Sequence, residues 1–202
     1  MLETLGIQAK QAERELLKLN ATKKNECLRA VAAGLIADST EILKANAEDV
    51  RIAREKGMKE SLVDRLALTE ARIASMAEGL TSLIGLEDPI GEILEAKIRP
   101  NGLEVGKKRV PLGVIGIIYE SRPNVTADAA ALALKSSNAV ILRGGKEAIN
   151  SNKAIVSVID EAAKSAGIPE GSVQLIENTE RQSAVDMMKA NGYIDVLIPR
   201  GG

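Results

Sequence analysis

The sequence predicts an α/β fold: a Rossmann-like parallel sheet with flanking helices, preceded by an N-terminal helical region and a β-hairpin. Three observations predict it. Short apolar runs alternate with helical segments from Pro111 onward, the pattern of βαβ units. The first 85 or so residues carry apolar side chains at a period near 3.6. Between the two, Pro100-Asn101-Gly102 separates a pair of alternating segments, and its Asn-Gly is a strong short-range hairpin signal. The expected division is residues 1–90 as helices packing on a nucleotide domain, 91–110 as a bridging hairpin, and 111–202 as the Rossmann-like region.

The elements follow in order. Leu5, Ala9, Ala12, Leu16 and Leu17 share one helical face, and Cys27, Leu28, Val31, Leu35 and Ile36 share a second. Asp38, Ser39 and Thr40 offer caps for a third helix running to Gly57, and Thr69 caps a fourth carrying Ile73, Met76, Leu80 and Leu83. Glu92–Arg99 and Leu103–Val110 form the two strands of the ribbon. An isolated ribbon is marginal in water, so it is expected to pack on another domain or subunit. Strands are then expected at Val114–Tyr119, Ala139–Leu142, Ser172–Ile176 and Ile194–Ile198. Helices are expected at Thr126–Ser136, Glu147–Ala166 and Glu180–Ala190.

Composition narrows the function. The chain has 202 residues, 45% hydrophobic and 27% charged, with a net charge of −1, which describes an ordinary globular protein. Aromatics are 1%, two Tyr with no Phe or Trp, so little is available to stack nucleobases. No lysine-rich face stands out, and nucleic acid and anionic membranes are not expected partners. No segment reaches the about 18 uninterrupted apolar residues of a membrane span. With one cysteine and no histidine, an internal disulfide and a Cys/His metal site are excluded. Cys27, among Leu28, Val31 and Leu35, is read as a small buried hydrophobe and not a nucleophile.

Three turns carry candidate chemistry, each just beyond a strand. Arg143-Gly144-Gly145-Lys146 precedes a helix, so its glycines, a helix N-terminus and two cations suit a phosphate. The plainer alternative is a strand-to-helix turn with solvated charges. Tyr119-Glu120-Ser121-Arg122-Pro123-Asn124 has the same setting. Its Arg122 can meet an anion bidentately, and Asn124 or Thr126 can cap the helix. Arg200-Gly201-Gly202 closes the chain beyond the last strand, where ligands of open α/β sheets bind. Ending there leaves that edge without its remaining walls, which points to a truncated chain.

At Val110 a longer motif begins. VPLGVIGIIYESRPNVTADAAALALKSSNAVILRGGKEA, Val110 to Ala148, resembles the gamma-glutamyl phosphate reductase family of the aldehyde dehydrogenase superfamily. YIDVLIPRGG from Tyr193 and VDRLALTEARIASMAEGL in the helical region match the same family. The resemblance covers the whole chain but about half of such an enzyme. One departure is Ser136-Ser137-Asn138, where the family has Ser-Gly-Asn. The resemblance implies an aldehyde dehydrogenase-like fold and NADPH-dependent reduction of L-glutamyl 5-phosphate to glutamate 5-semialdehyde in proline biosynthesis. It also implies a cytoplasmic setting and a homo-oligomer joined through the ribbon, and it admits glutamate 5-kinase as a partner. The catalytic cysteine belongs to the half that does not appear here, so the isolated chain is expected to be inactive.

The resemblance further implies which residues meet the cofactor, NADP(H). Arg143 takes the ribose role, and Lys146 replaces an acidic residue that binds ribose hydroxyls in relatives, which favours a 2′-phosphate. Gly144, Gly145 and Gly201 line the cofactor, and Tyr119, Glu120 and Ser121 lie by its pyrophosphate and nicotinamide. Arg122 and Arg200 hold the substrate's phosphate or carboxylate. Glu177-Asn178-Thr179 stands where relatives carry a glycine-rich turn. A non-catalytic nucleotide-binding module and the reductase part of a fused kinase–reductase are the alternatives.

Overall fold

The order of elements follows from where the apolar period changes. The computed structural model describes residues 2–201. Five helices come first: α1 (Leu2–Leu16), α2 (Ala21–Ala37), α3 (Ser39–Glu55), α4 (Glu60–Leu66) and α5 (Glu70–Ile84). The expected faces of α1 and α2 are buried, except that Leu5 is partly buried and Leu17 and Ile36 are about half exposed. Thr69 caps α5 by accepting from Arg72 N at 3.2 Å. Asp38 stands at the start of α3 without a side-chain cap. The short α4 was not separated from its neighbours in the sequence, because seven residues span too few turns to show a period.

The ribbon is β1 (Ile93–Ile98) against β2 (Glu104–Lys108), antiparallel and exposed along both strands. Its turn is the expected Pro100-Asn101-Gly102 connection. Gly102 N–H donates to Arg99 O, and Arg99 N–H donates to Leu103 O, both at 2.8 Å. Three residues therefore form the loop, with Gly102 at φ +82° in the left-handed conformation that Asn101 escapes.

The Rossmann-like part contains β3 (Val114–Tyr119), α6 (Asn124–Lys135), β4 (Ala139–Arg143), a 3₁₀ turn (Lys146–Ala148) and α7 (Ile149–Ser165). It continues with β5 (Val173–Leu175), α8 (Arg181–Met188) and β6 (Val196–Arg200). The four strands form one parallel sheet in the order β5-β4-β3-β6, so strand order reverses at β3. Val114 pairs with Ala139 of β4, and Ile115 pairs with Val196 of β6. β3 and β4 are buried on both faces, which is why they are continuous apolar runs and not alternating ones. Helices α6 and α7 cover one face. The other face is covered by α1, which packs against β3, β4 and β5, and after the reversal by α8, whose Met187 fills the space beside Gly116 of β3.

One apolar core runs from Ala9 through Cys27, Leu35 and Leu80 to Ile141, Ile159 and Met187. The helices therefore pack on the sheet layer as part of the same core. Cys27 lies wholly inside it, and burial pushes its thiol up to about 12. No helix among the described residues is long and apolar enough to cross a membrane.

A buried charge closes the α6–β4 corner. Lys24, 1% exposed, pairs with Asp88 at 2.5 Å and donates to Ser137 Oγ at 3.0 Å. Ser137 is the position where the resemblance calls for glycine. It is the one non-glycine at positive φ (+55°) among the described residues. The strain of a left-handed serine is about 1 kcal/mol, and its bond to a buried cation contributes about 1.5–3 kcal/mol. The hydrogen bond wins, so the serine is tolerated. Ser137→Gly should thus lower stability by about 1 kcal/mol, and Ser137→Ala, which keeps the strain and loses the bond, by about 2 kcal/mol. Urea unfolding of the two variants checks this; an alanine variant as stable as the glycine one would contradict it.

Candidate functional site

The reversal of strand order puts a crevice at the carboxyl ends of β3 and β6, the usual ligand position in open α/β sheets. Tyr119 and Arg200 are paired across that end of the sheet. Beyond them come Glu120, Ser121 and Arg122 on one side and Gly201 on the other. A Cβ built on Gly201 would lie 2.8 Å from Glu120 Cγ, so the two loops touch. Gly202, the last member of the Arg200-Gly201-Gly202 motif, lies outside the described residues.

The loop after β4 joins this crevice from the other flank. Ser121 Oγ donates to Glu147 Oε2 at 2.7 Å, tying the β3 loop to the 3₁₀ turn. Gly144 and Gly145 are required by neighbours within the chain. A Cβ on Gly144 would fall 2.2 Å from Asn152 Nδ2, and one on Gly145 2.4 Å from Ser121 Oγ. What each glycine's missing side chain admits is therefore the protein's own loops, packed against one another.

Tyr119 forms the floor beneath Gly144. It is 3% exposed; its hydroxyl lies 2.8 Å from Thr126 Oγ1, which in turn donates to Asn152 Oδ1 at 2.8 Å. Asn152 Nδ2 is buried without a hydrogen-bond partner, the one such side-chain atom among the described residues. Burial pushes the Tyr119 phenol up to about 12. The phenol points into the protein, so only the backbone of Tyr119 faces the crevice end.

The charges of the Arg143–Lys146 turn divide. Arg143 is committed: its Nη2 donates to Thr179 O at 3.0 Å and Glu180 O at 3.3 Å, and its Nε to Ser183 Oγ at 3.4 Å. It thereby shapes the loop that holds Glu177, Asn178 and Thr179 at the start of α8. Lys146 is exposed and lines a cleft of about 460 Å³ with Lys56, Met58, Ile52, Asn150 and Thr179.

The free N–H groups expected at the start of α7 are a point of correction. Asp49 of α3, 2% exposed, accepts from Ser151 N at 2.8 Å and Ser151 Oγ at 2.6 Å with one oxygen. Its other oxygen accepts from Asn150 N at 3.3 Å and Asn150 Nδ2 at 2.8 Å. A carboxylate from the helical region already satisfies the positive end of α7. Asn46, one turn earlier on α3, donates to Ser151 Oγ at 3.0 Å and to Leu66 O at 2.9 Å. Its Oδ1 accepts from Leu68 N at 2.7 Å. Asn46 and Asp49 escaped the sequence analysis, although the signal exists. Ile42, Asn46, Asp49 and Ala53 form the buried stripe of α3, with two polar residues where apolar ones belong.

Arg122 and Arg200 open on different clefts. Arg122, with Arg65, Arg72, Asn124 and Asp128, lines one of about 450 Å³. Arg200 lies at the end of an apolar one of about 480 Å³ formed by Leu80, Ile115, Val125 and Ile198. Asp128 of α6 borders both. Burial holds its carboxyl above the usual range, opposed by the Arg200 charge and a 3.4 Å hydrogen bond from Asn124.

A helical layer fused to a parallel sheet with its crevice at β3/β6, and an exposed ribbon between the two, is an aldehyde dehydrogenase arrangement. The chain belongs to the Aldehyde dehydrogenase family, whose pattern it matches over residues 4–197. Within it, the similarity is to gamma-glutamyl phosphate reductases. That of Caldanaerobacter subterraneus subsp. tengcongensis is 57% identical over 201 residues, covering 100% of this chain and 49% of that one. That of Clostridium novyi is 57% identical over 202 residues, covering 100% and 48%. The crystal structure of the Thermotoga maritima reductase superposes with a TM-score of 0.98 at 48% identity, over 100% of this chain and 49% of that one. A probable aldehyde dehydrogenase from Listeria monocytogenes shares the fold at TM-score 0.77 and 18% identity, over 99% and 41%. The chain spans about half the length of the curated relatives it matches.

The buried phenol generates a pH prediction. The folded-state value of Tyr119 is raised above the ordinary 10.0 to about 12. Between the two the unfolded chain releases a proton that the folded one keeps. The contribution is therefore complete below pH 10.0 and is lost as pH rises to about 12. The loss amounts to roughly 2–3 kcal/mol. Unfolding free energies measured across that range should show Tyr119→Phe with a shallower decline than the parent; parallel curves would contradict the assignment.

Proposed function

We propose that this chain is the cofactor-binding portion of a gamma-glutamyl phosphate reductase. Such an enzyme uses NADPH to convert L-glutamyl 5-phosphate to glutamate 5-semialdehyde and phosphate in proline biosynthesis. The observation that carries the proposal is the β3/β6 crevice, flanked by Glu120–Arg122 and Arg200–Gly201, in a chain 57% identical throughout to such reductases. Cys27 is buried and held as a thiol, so the nucleophile comes from residues outside this chain.

The residues present fit a phosphate-bearing dinucleotide. NADPH, when bound, supplies the hydride. Ser121, Gly145 and Gly201 keep the crevice narrow and let backbone approach it, while Glu120 lines its end. Lys146 and Lys56 on their shared cleft provide the positive charge that a ribose 2′-phosphate needs. Arg143 supports that cleft by fixing the Thr179–Ser183 loop. Asp49 neutralises the start of α7, so the phosphates are held by side chains and loop amides and not by that helix end. Arg122 and Arg200 carry the substrate's anionic groups. The exposed ribbon, with Ile93, Ile98, Leu103 and Val110 at its surface, suits pairing between subunits. The reaction belongs in the cytoplasm, which the single reduced cysteine suits, and glutamate 5-kinase is the enzyme class that makes this substrate.

Two outcomes are expected. The isolated chain should not oxidise NADPH with L-glutamyl phosphate, and joining it to the second half of the Thermotoga maritima reductase should restore turnover. In that joined enzyme, Lys146→Glu should lower the NADP/NAD preference about tenfold through loss of one charge-assisted contact. Turnover by the isolated chain, or an unchanged preference, would overturn the respective assignment.

A further inference from the structure

This inference rests on the function just proposed and concerns how the substrate is recognised. L-glutamyl phosphate carries an acyl phosphate at one end and an α-amino-acid zwitterion at the other. The acyl end belongs at the β3/β6 crevice. The zwitterion needs a cation for its carboxylate and an anion for its ammonium, both within reach of that crevice.

The cleft on the Arg122 side supplies both. Its volume, about 450 Å³, is ample for a five-carbon amino acid. Arg65 and Arg72 line it from α4 and α5, Arg122 and Asn124 from the β3 loop, and Asp128 from α6. The three guanidiniums are not equivalent. Arg72 is spent on structure, donating to the carbonyls of Asp64 and Ala67 and to Asp64 Oδ1 at 3.0 Å. It ties the end of α4 to α5 and so positions its neighbour Arg65. The segment's other edge is pinned by Asn46 through Leu66 O and Leu68 N. Arg65 and Arg122 are exposed, and neither forms an ion pair among the described residues. Asp128 is half-buried, and its one hydrogen bond comes from Asn124 Nδ2 at 3.4 Å. The Arg200 charge acts on this carboxylate, yet among the described residues it forms no ion pair, and a ligand's ammonium in the cleft would provide one.

We infer that this cleft binds the α-amino-acid end of the substrate, Arg65 and Arg122 taking the α-carboxylate and Asp128 the α-ammonium. Arg200, on the opposite side of Asp128, is left for the phosphate end. The assignment makes the site selective for amino-acid acyl phosphates over simple ones, because a ligand without an ammonium leaves Asp128 unpaired.

Amide NMR titrations of the chain with L-glutamate, with glutarate (which lacks the ammonium) and with inorganic phosphate test it, alongside a titration with NADPH. L-glutamate should perturb Asn124 and the residues around Arg65, and glutarate should bind about tenfold more weakly. Asp128→Asn should remove that preference, and Arg65→Met, an exposed substitution that leaves the core untouched, should weaken both dicarboxylates. The cleft assignment is overturned if glutarate binds as well as glutamate, if the preference survives Asp128→Asn, or if phosphate alone binds as tightly. NADPH binding without glutamate binding removes the cleft and leaves the proposed function standing. Binding of neither removes both.

Discussion

The carboxylate of Asp49 at the start of α7 is the contact on which the site's geometry depends. Four donors from Asn150 and Ser151 meet its two oxygens, more than a hundred residues along the chain from α3. A helix end carries partial positive charge and unsatisfied N–H groups, and burying it uncapped is costly. Here the cap comes from a different layer of the fold. The helical region is therefore joined to the nucleotide-type sheet by a polar clamp as well as by shared apolar core. Asn46 extends the clamp to the α4–α5 connection, so the same stripe of α3 positions both the Lys146 turn and the Arg65–Arg72 segment.

The rest of the site follows from tight loop packing around that clamp. With α7 fixed, Asn152 lies under Gly144 and meets Thr126, whose hydroxyl reaches Tyr119. Ser121 then bonds Glu147 across Gly145. Each step leaves no room for a side chain on the two glycines. The consequence is a crevice wall made of backbone and short polar groups, held in place by bonds within the chain and able to lie close to a ligand.

Much of the fold was legible in the sequence because it rests on local signals. Val114–Tyr119 is a buried parallel strand, and its apolar run marks both ends without error. Thr69 and the Arg99–Leu103 turn announce themselves through residue types with few alternatives. The site was legible as a set of turns but not as a set of roles. Arg143 and Lys146 are three residues apart in one motif, yet one binds carbonyls of the next loop and the other faces a cleft. Nothing local distinguishes them, since the partners of Arg143 are Thr179 and Glu180. Likewise the helix end behind the glycines looked open because its cap, Asp49, is remote. Ser137 is a mixed case: its departure from the family's glycine was visible, whereas its compensating partner Lys24 lies 113 residues away.

Partnership within the chain separates the cations that build from those that bind. Lys24, Arg72 and Arg143 each donate to groups of the chain, and for Lys24 and Arg143 removal would leave a buried or half-buried acceptor unmatched. Lys146, Arg65 and Arg122 stand on clefts with no such commitment among the described residues, and a long charged side chain held over a concave surface is available to an anion at little cost. The same test places Asp49 among the structural acids and Asp128 among the available ones, although both sit on helices with part of their surface buried. The two available clusters lie on either side of the β3 loop. A ligand with phosphates at one end and a zwitterionic substrate approaching from the other would meet at Glu120–Arg122, which is where the strand order turns and the crevice opens.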